Sequence, residues 1–266
     1  MFGNLPQRLV RRAKGFIHRP KVSLVRADSM IRMGTSYGGW EFIDHPKLHG
    51  ATIVSAGLGE DASFDVEFAS RYGARVVIVD PTPRAIEHFA RMQGRLGLGA
   101  EVPYTSDGGL DVASYDMSRL TADSLELVRK ALWTSNTTVK FFQPPNAEHV
   151  SHSITNFQNG YVQDTAYIEV PAMTLQDLLE AHHVEQLELI KLDIEGAETE
   201  VLYGMMASAI SPNQILVEFD ELSIPSPASK EKFETCDAAL RLNGYECIYW
   251  NGRADFGYAH RRLLRA

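Results

Sequence analysis

Only two cysteines occur in the 266 residues, Cys236 and Cys247. That is too few for a disulfide framework, and they have no paired metal-ligand spacing, so a reducing, cytoplasmic setting is expected. No apolar run is long enough to span a bilayer, and the basic N-terminus lacks the apolar core of a signal peptide, so stable membrane insertion is not expected. Acid is missing from the first 22 residues, which carry Arg8, Arg11, Arg12, Lys14, Arg19 and Lys21. The remainder is therefore clearly acidic, since the whole chain has net charge −8, and an acidic body argues against nucleic acid as a partner. No tyrosine is followed by lysine four residues later, which weakens a hydride-transfer reading of the short-chain dehydrogenase type. Internal repeats and low-complexity segments are also absent. With 44% hydrophobic and 23% charged residues, the chain can form one large α/β domain that needs no covalent staples.

What is present begins with residues 53–82, IVSAGLGEDASFDVEFASRYGARVVIVDPT. Ile53 and Val54 open a short apolar run, Gly57 and Gly59 form a turn, and Phe64, Phe68 and Ala69 repeat at helical spacing. A second run, Val76 to Val79, stops at Asp80-Pro81. This is a βαβ unit, with a nucleotide-like cofactor expected above its strand ends.

Elsewhere, residues 5–17 suggest a short basic helix, and 34–43 a glycine-rich turn presenting Tyr37 and Trp40. A helix is expected over 84–93 with Ile86, Phe89 and Ala90 inward, followed by loop over 94–120 and a polar helix over 121–130 with Leu125 and Val128 inward. Residues 132–142 alternate as an antiparallel strand, and 165–170 supply a strand that can pair with it. Thr174 caps a helix over 175–182 that buries Leu175, Leu178 and Leu179. Leu187 to Ile194 reads as a buried strand turning at Gly196-Ala197 into a helix with Val201, Leu202 and Met205 inward. A strand over 215–219, a helix over 229–242, and paired strands 245–250 and 256–261 complete the chain. Strands alternating with helices imply a mostly parallel sheet covered on both faces.

Gly57, Gly59 and Ala62 satisfy a dinucleotide fingerprint, with Asp80 about twenty residues on. Glu60 and Asp61, however, sit where a pyrophosphate would rest on backbone N–H groups. A carboxylate ~4 Å from a phosphate costs roughly 1–4 kcal/mol, so the pair disfavours NAD. The same acids suit S-adenosylmethionine, which carries an ammonium and a sulfonium, and Asp80 can accept from the ribose hydroxyls. Helix-dipole stabilisation is the alternative role for Glu60 and Asp61.

The strings AGLGEDASFD (56–65), DPTPRAI (80–86), HVSHSI (149–154), LIKLDIEGAE (189–198) and ILVEF (215–219) resemble the FkbM-type S-adenosylmethionine-dependent methyltransferases. The resemblance runs from about residue 34 to the C-terminus, and LIKLDIEGAE is its most specific part. It implies an α/β, class I methyltransferase (Rossmann-like) fold: a seven-stranded, mostly parallel sheet with an antiparallel last strand and helices on both faces. It also implies methyl transfer to a hydroxyl of a small molecule or a sugar or glycan. Residues 1–45 would be a basic extension with the aromatic turn, and 46–266 the methyltransferase domain. The stretch 94–120 is longer than the family's usual spacing, so the adenine contacts are not placed.

Methyl transfer needs alignment and removal of the acceptor proton. The expected cofactor residues are Gly57, Gly59, Glu60, Asp61, Asp80 and Pro81. Asp193 and Glu195, two apart at a strand end, would point the same way if the strand continues, with Lys191 on that face holding one of them ionised. His152, in a donor-rich segment with Ser151, Ser153 and Asn156, is the favoured base. The alternative for the charged trio is a structural ion-pair cluster capping the next helix. Binding of a divalent cation by Asp193, Asp220 and Glu221 is weighed and not favoured over a metal-free site. The rival functions are an NAD-dependent oxidoreductase on the same glycine turn and a non-catalytic binding module of Rossmann-like fold.

Overall fold

The computed structural model describes residues 19–105, 109–143, 153–156, 159, 162 and 164–265. The expected basic helix 5–17 and His152 both lie outside these residues. In chain order the elements are β1 (Met30–Met33), β2 (Trp40–Ile43), β3 (Thr52–Ala56), α1 (Ser63–Tyr72), β4 (Arg75–Val79), α2 (Pro83–Gln93), β5 (Leu125–Val128), β6 (Ala131–Leu132), β7 (Thr137–Phe142) and β8 (Tyr167–Met173). They continue with α3 (Leu175–Ala181), β9 (Leu189–Leu192), α4 (Glu198–Ala207), β10 (Gln214–Glu218), α5 (Pro227–Leu242), β11 (Tyr245–Trp250), β12 (Asp255–His260) and α6 (Arg261–Leu264).

Seven strands form the central sheet in the order β11-β12-β10-β9-β3-β4-β5. The last strand in sequence, β12, lies antiparallel to both its neighbours, and the other pairings are parallel. The seven strands, mostly parallel, and the reversal of β12 match the expected fold. The central strands read as continuous apolar runs because both faces are covered. Ile53, Val76 and Ile78 pack with Phe64 and Phe68 of α1 and with Ala85 and Met92 of α2. Val54, Val77 and Val79 pack on the opposite face with Leu178 of α3, Leu202 of α4 and Phe233 of α5. The β1–β2 hairpin joins the first core: Phe42 is fully buried, with ring contacts to Phe64, Phe68 and Tyr72.

Three expectations are corrected. Residues 121–130 do not form a helix: Leu125–Val128 is an edge strand parallel to β4. Leu125 and Val128 fit helical spacing, but Leu125 and Leu127 are the pair that meets the α1–α2 core, while Glu126 pairs with Arg75 at 2.6 Å. In α2 the buried positions are Ala85, His88 and Met92, and Ala90 is exposed. The inward face is shifted because His88, polar by type, spends its Nε2 on the Tyr115 hydroxyl at 2.9 Å. The third correction, at the end of β9, belongs to the site below.

Among the described residues of the loop 94–120 there is one short 3-10 turn, Val112–Ser114, in keeping with the expected loop, yet the segment is built into the core. Tyr115 is fully buried and its hydroxyl accepts from the Ala62 N–H at 2.9 Å. That contact satisfies a donor left over at the start of α1. The strand expected over 132–142 is split: its second part, β7, pairs antiparallel with β8 as expected, while Leu132 belongs to β6, which runs parallel to β8 in the same separate sheet ordered β6-β8-β7. The Thr174 cap forms, accepting from Asp177 N.

Candidate active site

A cleft of about 880 Å³ opens above the carboxyl ends of β3, β4 and β9. Its lining includes Gly57, Gly59, Glu60, Asp61, Asp80, Pro81, Lys191, Asp193 and Glu195. Every expected site residue within the described part of the chain therefore meets in one place. Leu58, Val79, Leu132 and Phe141 add apolar wall, and Tyr37, 65% exposed, stands at the cleft. Trp40, by contrast, is buried in the core.

The glycine turn is fixed from two sides. Gly57 has φ +88°, and a Cβ on it would fall 1.7 Å from the Asp193 carbonyl oxygen. Only glycine allows the turn after β3 to lie against the tip of β9. On the other side, Asp80 Oδ2 accepts from the N–H groups of Leu58 and Gly59 at 2.9 and 3.0 Å. Its Oδ1 accepts from the Thr82 N–H and hydroxyl at 2.8 and 2.6 Å. All four acceptor positions of the carboxylate are thus used; a ribose hydroxyl would share or replace the Thr82 contacts.

Glu60 and Asp61 differ in use. Asp61 accepts from the Thr35 hydroxyl at 2.6 Å and from Ser63 N at 2.9 Å, fastening the β1–β2 turn to the start of α1. Glu60 faces the cleft and pairs with Arg84 at 2.5 Å. The carboxylates around the turn, with Asp193 and Glu195 opposite, make a wall suited to a cation. A pyrophosphate there would meet Glu60 and Asp61 at close range.

At the tip of β9 the strand ends at Leu192, so Asp193 and Glu195 do not share a strand face. The chain turns instead, with Glu195 at φ +57° and Gly196 at φ +97°. A non-glycine residue in the left-handed region is a costly arrangement that the surroundings must hold. Glu198 does so: its carboxylate accepts from the N–H groups of Ile194 and Gly196, each at 3.0 Å. The Ser153 hydroxyl also donates to the Glu195 carbonyl. Both Asp193 and Glu195 still face the cleft, through the turn rather than through alternation.

Lys191 is 4% exposed. Its ammonium donates to the Gly57 carbonyl and lies 3.5 Å from Asp193 Oδ2. Of the two carboxylates it was expected to pair with, it meets Asp193, and it also ties the two loops together. Asp65 on α1 is fully buried, and burial pushes its carboxyl up to about 6 while the Lys191 charge pulls it down.

Behind this first row stand acids to which sequence reasoning gave no role. Glu218 ends β10, and burial, then the charges of Asp193, Asp255, Glu195 and Glu198, push it up to about 10. Burial pushes Glu198 up to about 8 against its backbone donors, and Asp255 up to about 6, with Asp193 adding to the rise. The available signal was Glu218 inside the otherwise apolar run ILVEF. Among the described residues, no three His, Cys, Asp or Glu side chains converge as a metal would require.

The strand order and the cleft above the glycine turn define a class I methyltransferase fold. The model of the methyltransferase FkbM domain matches residues 49–247. The chain belongs to the FkbM methyltransferase family, and methyl transfer is the activity that family defines. A comparison with curated protein sequences returns no match. Among solved structures, cofactor-bound Rv0187 from MTB is 13% identical, covering 98% of this chain and 92% of its own, with a TM-score of 0.40. A variant of the 16S rRNA (adenine(1408)-N(1))-methyltransferase from Catenulisporales acidiphilia is 14% identical, covering 86% and 98%, with a TM-score of 0.35. Both likenesses are distant, and the assignment rests on the family match. No helix among the described residues is long and apolar enough to cross a membrane.

Proposed function

We propose that the protein is a cytoplasmic O-methyltransferase that moves the methyl group of S-adenosylmethionine to a hydroxyl of a small molecule or carbohydrate. The observation that carries this reading is the cleft itself: a glycine turn walled by carboxylates at the ends of β3, β4 and β9. It fits a cationic donor better than a dinucleotide, because Glu60 and Asp61 occupy the place of a pyrophosphate. S-adenosylmethionine supplies a carbon already activated by the positive sulfur.

The residues then have three tasks. Gly57, Gly59 and Pro81 shape the turn, and Asp80 holds it by its backbone. Glu60 and Asp61 provide the negative wall for the donor's charged groups. Asp193, paired with Lys191, and Glu195 present the acceptor hydroxyl, with His152 as the base that removes its proton. Ser153, the next residue, is anchored on the Glu195 carbonyl, which supports His152 in this role. The acidic body speaks against a nucleic-acid acceptor.

Calorimetric titration with S-adenosylmethionine and with NAD tests the cofactor, and saturable binding of NAD alone would overturn it. Incubation with isotopically labelled methyl donor and extract from cells lacking the gene identifies the acceptor. Asp193→Ala and His152→Ala should each lower labelling of that acceptor by about 100-fold or more; unchanged labelling would remove these residues from the mechanism.

A further inference from the structure

Carboxylates dominate the cleft wall: Glu60, Asp61, Asp80, Asp193 and Glu195 line it beside the Lys191 ammonium. S-adenosylmethionine brings a carboxylate of its own next to its ammonium and sulfonium. Such a wall repels that group unless a hydrogen-bond donor meets it. Among the described lining residues, Tyr37, Thr82 and Lys191 carry side-chain donors. The Thr82 hydroxyl is spent on Asp80 at 2.6 Å, and the Lys191 ammonium on the Ala56 and Gly57 carbonyls and Asp193. The glycine turn is committed as well: the Gly57 and Asp61 N–H groups donate to the Val79 and Leu58 carbonyls, and those of Leu58 and Gly59 to Asp80. The Tyr37 hydroxyl, by contrast, has no hydrogen-bond partner among the described residues.

We propose that the Tyr37 hydroxyl donates to the α-carboxylate of S-adenosylmethionine, fixing the amino-acid end of the methyl donor at the turn between β1 and β2. The inference rests on the S-adenosylmethionine reading above. Thr35, 6% exposed, is the anchor of that turn. Its N–H donates to Ser63 Oγ at 2.9 Å and its hydroxyl to Asp61 Oδ2 at 2.6 Å. The same hydroxyl oxygen accepts from the N–H groups of Tyr37 and Gly38 at 3.2 and 2.9 Å, and Arg32 donates to the Thr35 carbonyl at 3.0 Å. Tyr37 is thus tied through its own backbone to Asp61. The ribose is assigned to Asp80, so the amino-acid end falls to the Asp61 side of the glycine turn, its ammonium to Asp61 and its carboxylate to Tyr37. Partial burial, then the charges of Asp193, Glu195, Glu218 and Asp61, raise the phenol above its ordinary value, so it stays protonated as a neutral donor.

Decarboxylated S-adenosylmethionine keeps both positive groups and lacks only the carboxylate, so it isolates this contact. Calorimetric titration measures it and S-adenosylmethionine on the unaltered protein and on Tyr37→Phe. That variant keeps the ring and deletes a hydroxyl on which no described residue depends. It should weaken S-adenosylmethionine by about 10–100-fold, the range for a hydrogen bond to a charged group, and the decarboxylated ligand by less than about threefold. Equal weakening of both ligands in Tyr37→Phe, or unchanged binding of S-adenosylmethionine, would overturn the proposal alone. Absence of binding of both ligands to the unaltered protein would overturn the cofactor reading together with it.

Discussion

Gly57→Ala tests whether the site is built on close contact between the glycine turn and the tip of β9. Two costs combine. A residue with a Cβ at φ +88° pays about 1–2 kcal/mol for the backbone alone. The Cβ would also lie 1.7 Å from the Asp193 carbonyl oxygen, half the 3.4 Å at which ordinary contact begins. That oxygen belongs to backbone at the end of a fully buried strand, so no flexible side chain can yield. Overpacking of this kind costs about 1–3 kcal/mol, giving a sum of about 2–5 kcal/mol. For a chain of this size about 2–4 °C is lost per kcal/mol, so Tm should fall by roughly 4–20 °C. Gly73→Ala is the control, because Gly73 has φ +57° at the end of α1 and nothing within 4 Å of its Cβ. It should cost only the backbone share, about 1 kcal/mol. Thermal unfolding measures both, and titration with S-adenosylmethionine should show weakened binding for Gly57→Ala alone. If the two variants melt together and bind alike, the contact between turn and strand tip does not carry the site.

Lys191→Met removes the buried cation while keeping its bulk. Asp193 and buried Asp65 then lose their positive neighbour, and breaking a buried pair costs about 3–5 kcal/mol, reduced here because Asp193 is partly exposed. A denaturant midpoint corresponding to less than about 0.5 kcal/mol of loss would show that the lysine is not a structural anchor. The buried acids also set a pH trend. Glu198 and Glu218 have folded values pushed up to about 8 and about 10 from an ordinary 4.5. The folded state holds protons that the unfolded chain has already lost, so their stabilising effect is complete below pH 4.5 and disappears as pH rises towards those values. Stability should fall between about pH 6 and 9, by up to about 1.4 kcal/mol per pH unit for each such proton. A melting temperature that stays level or rises over that range would contradict the burial assigned to these carboxyls.

The parts of the fold that were legible in the sequence are those where local pattern and long-range packing agree. Both strands and the helix of residues 53–82, the Thr174 cap and the closing hairpin are examples. The edge strand Leu125–Val128 was not legible, because four residues with apolar groups at 125, 127 and 128 fit a helix face as well as a strand. Its identity comes from β4, distant in sequence, which supplies the ladder. His88 misled for the opposite reason: its polarity suggests solvent, and only Tyr115, brought in by an irregular loop, makes its burial affordable.

Within the site, residue identity was legible and geometry was not. Asp193, Glu195 and Lys191 were placed together by spacing, yet the spacing implied a straight strand. The bend at Glu195 depends on Glu198, whose carboxylate takes the place of the backbone partners that the chain loses on leaving the sheet. That substitution has a chemical consequence. A straight strand would set Asp193 and Glu195 side by side over the cleft beside Lys191, both neutralised by one ammonium. The turn separates them: Asp193 remains with Lys191, while Glu195 is carried over to Asp220. One carboxylate is thereby paired with the buried ammonium and the other placed against the acids at the end of β10. The glycine at 196, required by its φ of +97°, permits this separation, and it explains why Glu195-Gly196-Ala197-Glu198 follows the strand where a continuous ladder would have been simpler to build.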